Sequence, residues 1–155
     1  MDYKVKQLET LNLIGVTKSY SNGTEAQQHI ADFWQQFFNM QWEQTLVAQS
    51  NNQLPGFLGV LSPHDNGCMD YMIAVTTDIE DDSEFETIEL AASKYMVVEA
   101  KGAVPKAIQH KMSEIHDYLT NSRDISAKHA PCFELYGEGD TTSDNYITEL
   151  WIPIN

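Results

Sequence analysis

The sequence predicts an α+β fold built from two β-α-β-β units, and three observations lead to it. Apolar, β-branched runs that suit strands alternate with two segments whose apolar residues recur at helical spacing. The same order of elements occurs twice, over roughly residues 1–80 and 81–155. A chain of 155 residues suits one domain with one substantial core, so we expect a single domain over 1–155.

The first half opens with an apolar strand over residues 11–17. Thr24, with Gln27 three positions later, fits a capping box that begins a helix, and this helix is expected to run to about Gln49. One face of the helix is strongly apolar and should pack on a sheet, because its large side chains recur every three or four positions: Ile30, Phe33, Trp34, Phe37 and Phe38. We expect these residues to be core, with Trp34 and Phe38 the two that could reach a cleft.

Two short strands complete the first half, over residues 57–61 and 70–76. Proline and Asn-Gly turn signals between them indicate a hairpin loop. An acidic run follows: Asp78, Glu80, Asp81, Asp82, Glu84 and Glu86. Because like charges repel and stay solvated, we interpret the run as a connector, with a functional acidic patch as the alternative.

The second half repeats the plan. Extended segments are predicted over residues 87–90 and 94–99, and Pro105 then occupies a first helical turn, where proline is tolerated. Four apolar residues at helical spacing define the second long helix: Ile108, Met112, Ile115 and Leu119. Strands over residues 131–136 and 146–154 end the half.

The chain is strongly acidic, with 9 basic against 23 acidic residues and a net charge of -14. Such a surface repels phosphate backbones, so no direct nucleic-acid binding is expected. The charge either keeps the protein soluble, attracts cations, or offers a surface to a basic protein partner. The N-terminus lacks the apolar run of a signal peptide and no stretch is long enough to cross a bilayer, so we expect a cytoplasmic protein without membrane contact.

Most catalytic and cofactor patterns are missing from the sequence. It has no phosphate-cradling glycine loop and no nucleophile elbow, and its five histidines and two cysteines show no metal-ligand spacing. We therefore expect no cofactor, no metal and no catalytic set recognisable from motifs. Cys68 and Cys132 are interpreted as buried thiols.

The last predicted strand carries the best functional clue. Because side chains alternate along a strand, Leu150, Ile152 and Ile154 share the face that a helix would cover. Glu149, Trp151 and Pro153 then share the other face. A carboxylate beside an indole ring suits a cation, through charge neutralisation and through the π face. The alternative is an exposed glutamate beside a Trp that covers a hydrophobic seam.

The preceding strand repeats the combination of an acid and an aromatic ring. We expect Phe133 and Leu135 to face the helices, and Glu134 and Tyr136 to lie on the same side as Glu149. Tyr71 and Tyr95 lie on other strands, and alternation alone does not assign their faces. A pocket with several aromatic rings and one or two carboxylates would suit a flat lipophilic cation.

These residues resemble a known family, the GyrI-like small-molecule-binding domain, also called the AraC-type effector-binding domain. The resemblance covers almost the whole chain and rests on six segments: residues 13–16, 69–71 and 94–98, Ile108, and residues 131–136 and 149–154. The last two are the most specific, because they occur in that order with an acidic turn between them.

The resemblance implies two β-α-β-β units related by a pseudo-twofold axis, with a ligand cleft between the units. Two long helices are expected on one face of an antiparallel sheet, and the cleft on the other. The resemblance assigns the ligand-facing acid of the last strand to Glu149, and pocket aromatics to Tyr71, Tyr95 and Trp151. Together with Glu134, Tyr136 and Trp34, these form the predicted ligand-binding set.

Three functions follow from the resemblance. The chain is expected to bind a small lipophilic cation as a freestanding sensor or sequestering domain, related to the multidrug-binding domains of transcription regulators, because no helix-turn-helix precedes it. The alternatives are a hydrolase of electrophilic drug-like compounds, and an acidic interaction module whose partner is gyrase or a DNA-binding regulator.

Overall fold

The computed structural model describes residues 1–82 and 84–155, and within them it contains eight strands and three helices. The strands are Lys4–Leu8 (β1), Leu11–Tyr20 (β2), Phe57–Pro63 (β3), Met69–Thr76 (β4), Glu86–Leu90 (β5), Ser93–Lys101 (β6), Cys132–Tyr136 (β7) and Ile147–Ile154 (β8). The helices are Gly23–Asn39 (α1), Trp42–Ala48 (α2) and Lys106–Asn121 (α3). None of the helices in the described ranges is long and apolar enough to span a membrane.

All eight strands form one antiparallel sheet in the order β1-β6-β8-β7-β3-β4-β2-β5. Strands β1 and β2 lie near opposite ends of this order, yet only Glu9 and Thr10 join them. A flat sheet would separate them by about 29 Å, since neighbouring strands lie roughly 4.8 Å apart. A link of two residues spans only about 10 Å. The sheet therefore curls strongly and brings its two ends together.

The long helices cover one face of the sheet but leave its middle open. Helix α1 packs on β2 and β4, and α3 packs on β6 and β8. Within the described ranges, neither long helix packs its backbone closely on the two central strands, β7 and β3, although Trp34 and Phe37 of α1 reach these strands with their rings. Helices centred on those outer pairs stand about 19 Å apart at ordinary strand spacing, whereas helices in contact lie roughly 8–10 Å apart. A gap remains above β7 and β3.

The opposite face of the sheet is closed by one buried cluster with residues from both ends of the sheet. Its buried members are Leu11, Leu13, Leu58, Val60, Met72, Ala74, Leu90, Tyr95, Val97, Phe133 and Trp151. Two separate clusters lie beneath the helices, one under α1 and one under α3. The open space of the fold therefore lies on the helix face, and the prediction of a cleft on the other face is wrong. The curl of the sheet packs that other face against itself.

The α+β class, the antiparallel sheet and the two long helices on one face are confirmed. The predicted strands and long helices occur in the predicted order, with β1 and the separate helix α2 as unpredicted additions to the first half. The relation of the halves by duplication and a pseudo-twofold axis stays a prediction. In the described ranges, the acidic run after β4 precedes β5 as a connector, and only Glu86 belongs to a strand.

The first helix differs from its prediction at both ends. Asn22 is its N-cap, because the Asn22 side chain accepts a hydrogen bond of 2.8 Å from the backbone N–H of Glu25. The expected continuation to Gln49 is interrupted at Gln41, which adopts a left-handed conformation with φ 57° and separates α1 from α2. Neither glycine nor proline marks this break in the sequence.

Candidate functional site

The gap above β7 and β3 is a cavity of about 690 Å³ between α1 and α3. Phe57 and Leu61 of β3, with Glu134 and Tyr136 of β7, form its floor. The α1 wall carries residues at helical spacing, namely Gln27, Ile30, Ala31, Trp34, Gln35 and Phe38. The α3 side is mostly aliphatic, with Val104, Pro105, Ile108, Gln109 and Met112. One wall is thus rich in aromatic rings and the other in aliphatic groups.

Glu134 is the charged centre of the cavity. Its side chain is 8% exposed, and the hydroxyls of Tyr71 and Tyr136 each donate a hydrogen bond of 2.8 Å to its Oε1. Among the described residues that line the cavity, Glu134 is the sole carboxylate, and none is a lysine, arginine or histidine. The cavity therefore holds one acid that has no basic partner in the lining.

Burial governs the ionisation of this network. Removal of water raises the pKa of Glu134, while the hydrogen bonds from Tyr71 and Tyr136 oppose that rise by stabilising the carboxylate. The pKa values of Tyr71 and Tyr136 lie well above the ordinary tyrosine value, because both phenols are buried and lie beside the Glu134 charge. Both phenols consequently stay protonated at neutral pH and remain donors.

Trp34 links the aromatic wall to this acid. Its indole N–H donates a hydrogen bond of 2.9 Å to the hydroxyl of Tyr71, which in turn donates to Glu134. The Trp34 ring centroid lies 5.1 Å from that of Tyr136 and 5.9 Å from that of Phe38. These contacts fix the indole beside the cavity, where the ring faces the same space as the carboxylate.

The second acid and aromatic set, on the opposite face of the sheet, has a different structure. Trp151 is 2% exposed and stacks on Phe133 with a centroid distance of 5.2 Å, and Tyr95 packs edge-on against both rings. The Trp151 indole donates to Glu149 at 3.2 Å. The Lys6 ammonium lies 5.3 Å from the centroid of the Trp151 ring. A cation of the protein itself therefore already occupies this ring face.

The strand register explains why the two sets separate. Leu135 pairs directly with Glu149, and Phe133 pairs directly with Trp151. Directly opposed residues of antiparallel strands share a face, so Phe133 and Leu135 lie on the Glu149 side. The expectation that they would face the helices is wrong, because Glu134 and Tyr136 occupy that position.

The predicted ligand-binding residues divide accordingly. Glu134, Tyr136 and Trp34 line the cavity. Tyr71 does not line it, but its hydroxyl is hydrogen-bonded to two residues that do, Trp34 and Glu134. Glu149, Trp151 and Tyr95 do not line it and lie on the far face. The predicted apolar face of the last strand is correct, since Leu150, Ile152 and Ile154 pack with α3.

Several lining residues were not predicted from the sequence. Three glutamines, Gln27, Gln35 and Gln109, place neutral amides in the lining. Tyr146 donates from its hydroxyl to the backbone carbonyl of Gly137 at 2.8 Å and lines the cavity near Thr141. The available sequence signal was helical spacing, since Gln27 and Gln35 each lie three positions before a residue of the predicted apolar stripe, Ile30 and Phe38.

The described residues offer little for metal or thiol chemistry at the cavity, since neither cysteine lines it, and Cys68 is half-buried and not the buried thiol that we expected. No three of their His, Cys, Asp or Glu side chains lie close enough to hold a metal ion. Burial raises the pKa of the Cys132 thiol to about 12, which leaves it protonated and unreactive at neutral pH. The chemistry available to the cavity is therefore that of one carboxyl group, its phenol donors and aromatic rings.

Comparison with known proteins gives one family and several similar structures. The sequence profile of the GyrI-like small molecule binding domain matches residues 1–155. The structure of SAV2435 bound to tetraphenylphosphonium is 49% identical, with a TM-score of 0.94 over 100% of this chain and 94% of that chain. A candidate bacterial transcription regulation protein from Staphylococcus aureus MU50 is 47% identical, with a TM-score of 0.91 over 100% of this chain and 99% of that chain.

A more distant structure shares the fold alone. The integron cassette protein VCH_CASS2 from Vibrio cholerae is 15% identical, with a TM-score of 0.68 over 99% of this chain and 95% of that chain. No match is found among curated protein sequences.

Proposed function

The chain belongs to the GyrI-like small molecule binding domain family, and we propose that it binds a lipophilic cation in the cavity between α1 and α3. In this role it acts as a sensor or sequestering domain for drug-like cations. Glu134 supplies the counter-charge, and Trp34 and Tyr136 supply ring faces. Binding is non-covalent.

The observation that carries this proposal is one buried carboxyl group in an apolar cavity whose described lining residues include no basic partner. A carboxylate removed from water is costly unless a positive charge compensates it. A ligand cation would provide that charge, and its apolar groups would contact the aromatic and aliphatic walls. A neutral ligand would gain only the apolar contacts, and an anion would be repelled.

The charge of the whole chain supports the same ligand class. A net charge of -14 raises the concentration of cations near the surface and speeds their association, most strongly at low ionic strength. The glutamines in the lining are neutral and present no positive charge to an approaching cation. Tetraphenylphosphonium is the ligand in the structure of the 49% identical SAV2435, which makes it the first probe to use.

The test is calorimetric titration of tetraphenylphosphonium into the wild-type chain, Glu134→Gln and Glu149→Gln. The two substitutions remove the same charge from opposite faces of the sheet, so each controls for the other. Removal of a paired, desolvated charge costs roughly 2–5 kcal/mol, which weakens binding by about 30-fold or more in Glu134→Gln. Glu149→Gln should bind like wild type.

Absence of binding to the wild-type chain would overturn the proposal, as would a loss confined to Glu149→Gln. Triphenylphosphine oxide, which is neutral and of similar shape, serves as the matched ligand control. It should bind the wild-type chain more weakly than the cation does. Its affinity should be the same for Glu134→Gln as for the wild-type chain, because it carries no charge for Glu134 to pair with.

A second candidate function, hydrolysis of an electrophilic drug-like compound, is favoured by the same carboxyl group. Its raised pKa and the two phenol donors suit a general acid or base acting on a water molecule. This function requires a product that accumulates with the wild-type chain and not with Glu134→Gln. Tight binding with unchanged ligand recovered from the complex would exclude it for that compound.

An interaction with gyrase or a DNA-binding regulator is the remaining candidate, and it rests on the acidic charge alone. It would appear as an association that weakens steeply with added salt. A salt-insensitive association, or none, would remove it.

A further inference from the structure

We infer that Gly59 is a positioning residue of the cavity: its lack of a side chain lets the Tyr71 hydroxyl reach Glu134 across strand β3. The inference concerns the acid that the proposed function uses, and it rests on that function only for its effect on ligand binding. Gly59 itself is not among the residues that line the cavity.

The strand order places β3 between the two residues that form this hydrogen bond. Tyr71 belongs to β4 and Glu134 to β7, and β3 lies between them. Strands two positions apart are separated by about 9.6 Å, so the tyrosine must extend over the backbone of β3 to make its bond. Gly59 pairs directly with Glu134 on one side and with Ile73 on the other. It is therefore the β3 residue beneath the crossing point.

A side chain at this position would collide with both partners. A Cβ on Gly59 would lie 2.6 Å from Oε1 of Glu134 and 2.8 Å from Cζ of Tyr71, and closer still to the Tyr71 hydroxyl. All of these atoms are buried, so none can move aside into solvent. Even a methyl group would therefore break the hydrogen bond between Tyr71 and Glu134 or displace the carboxylate.

The bond lost in this way is the one that connects the acid to the aromatic wall. Tyr71 accepts from Trp34 and donates to Glu134, so its hydroxyl couples the indole to the carboxylate. Tyr136 would remain as a donor to Oε1, so the acid would keep one phenol of two. The carboxylate would then be less stabilised, and its position relative to Trp34 would no longer be fixed.

Gly23 offers a matched control in the same region. It lies at the first position of α1 and lines the cavity, yet a Cβ there would meet only the terminal methyl of Met69 at 3.8 Å, an ordinary contact. Gly23→Ala therefore adds the same methyl group to the site without touching the network. Comparison with Gly59→Ala isolates the effect of the crossing point.

The first readout needs no ligand. The carboxyl carbon of Glu134 is followed by NMR during pH titration, with Glu134→Gln used to assign the signal. Loss of the Tyr71 bond should raise the pKa of Glu134 further in Gly59→Ala, because that bond stabilises the charged form. Gly23→Ala should titrate like wild type. An unchanged Glu134 titration in a folded Gly59→Ala would overturn the inference, whatever the ligand does.

The second readout is tetraphenylphosphonium affinity in a double-mutant cycle with Tyr71→Phe. A hydrogen bond to a charged group corresponds to about tenfold to a hundredfold in affinity, so Gly59→Ala should weaken binding by that factor. In the Tyr71→Phe background the same substitution should have a much smaller effect, because the bond is already absent. If Gly59→Ala weakened tetraphenylphosphonium affinity by the same factor in the wild-type and Tyr71→Phe backgrounds, the inference would be overturned.

The cycle also covers a Gly59→Ala variant that fails to fold alone. Tyr71→Phe removes the closest of the three clashing atoms and leaves Cζ and Oε1 of Glu134 with smaller shifts to make, so the double variant should be more stable than Gly59→Ala, as measured by circular dichroism and thermal unfolding. A double variant no more stable than Gly59→Ala would contradict the inferred clash. If the wild-type chain does not bind tetraphenylphosphonium, the proposed function fails while the NMR titration still decides the role of Gly59.

Discussion

The two faces of the sheet carry similar side chains in opposite states. On the helix face, Glu134 lies with Trp34 and two tyrosines at a cavity that no lysine, arginine or histidine lines in the part of the chain that the structure describes. On the far face, Glu149 lies with Trp151, Tyr95 and Phe133, and Lys6 stands over the indole. The first set holds an acid beside open space with no basic side chain among the described lining residues, and the second is packed, with a lysine over its Trp ring.

The difference shows that residue types alone do not define a cation site. Trp151 stacks in a cluster built from both ends of the curled sheet, so its rings stabilise the fold. Trp34 belongs to α1, and strands β7 and β3 lie between α1 and α3. The Trp34 ring therefore borders the cavity that the two helices leave above these strands. A cavity beside the side chains, and not the pairing of an acid with a Trp, distinguishes the candidate site.

The largest expected effect is a difference in stability between variants of Trp151 and Trp34. Trp151→Ala removes a fully buried ring from the far-face cluster and should lower the free energy of unfolding by about 3–5 kcal/mol. Trp34→Ala should cost clearly less, because one side of its ring already borders the cavity. Urea unfolding of both variants measures the difference. Equal losses would contradict the contrast between a packed face and an open one.

The next effect separates the same residues by binding. Trp34→Phe removes the indole N–H bond to Tyr71 and the strongest ring for a cation, so tetraphenylphosphonium affinity should fall by about fivefold to thirtyfold. Trp151→Phe keeps an aromatic ring on the far face and should leave affinity unchanged. Fluorescence titration checks both variants, and a weaker affinity only in Trp151→Phe would refute the assignment.

The sequence determines parts of this contrast and misses others for identifiable reasons. The alternation of Leu150, Ile152 and Ile154 predicts the helix-covered face of β8 correctly, because three apolar residues in period two leave one choice. Residues 133–136 offer apolar side chains on both faces, so only the register against β8 assigns Glu134 to the cavity. Register is a tertiary property, and the sequence did not reveal it.

Two elements of the fold were hidden for local reasons. Strand β1 contains Lys4, Val5 and Lys6 in exposed positions and therefore lacks the alternating burial that marks a strand. It also supplies Lys6, and because β1 was not predicted, nothing in the sequence indicated that this ammonium lies over the Trp151 ring. The helix break at Gln41 depends on a left-handed backbone that glutamine rarely adopts.

The pH dependence of binding should follow Glu134. Its pKa is raised by burial, so at low pH the empty cavity holds a neutral acid, and a cation must expel the proton to gain the charge pair. Affinity for tetraphenylphosphonium should rise by at most about tenfold per pH unit below this raised pKa and then level off. Calorimetry across this range, with Glu134→Gln as the pH-independent control, tests the expectation. A flat profile for the wild-type chain would contradict it.

The same shift has a consequence for the unliganded protein. The folded state favours protonated Glu134, so the stability that this preference contributes is complete below the ordinary carboxyl pKa and is lost as pH rises through the raised one. Glu134→Gln should therefore gain stability relative to wild type as pH rises through that window. Thermal unfolding at acidic and neutral pH measures the gain. If the difference in stability between Glu134→Gln and the wild-type chain were the same at acidic and at neutral pH, the linkage would be refuted.

The smallest effect concerns Lys6. Lys6→Met keeps the aliphatic stem and removes the ammonium over Trp151, so stability should fall by less than about 1 kcal/mol. Tetraphenylphosphonium binding in the cavity should not change, because Lys6 lies on the other face. A new binding event abolished by Glu149→Gln in the Lys6→Met background would show that the far face is a cation site once its own cation is removed.

The most direct measurement is a crystal structure with tetraphenylarsonium, whose arsenic atom gives an anomalous signal that marks the cation. The account predicts the arsenic between α1 and α3, with its phenyl groups against Trp34 and Tyr136 and its charge nearer Glu134 than Glu149. An arsenic peak over Trp151 on the far face, with the cavity between the helices empty, would contradict it.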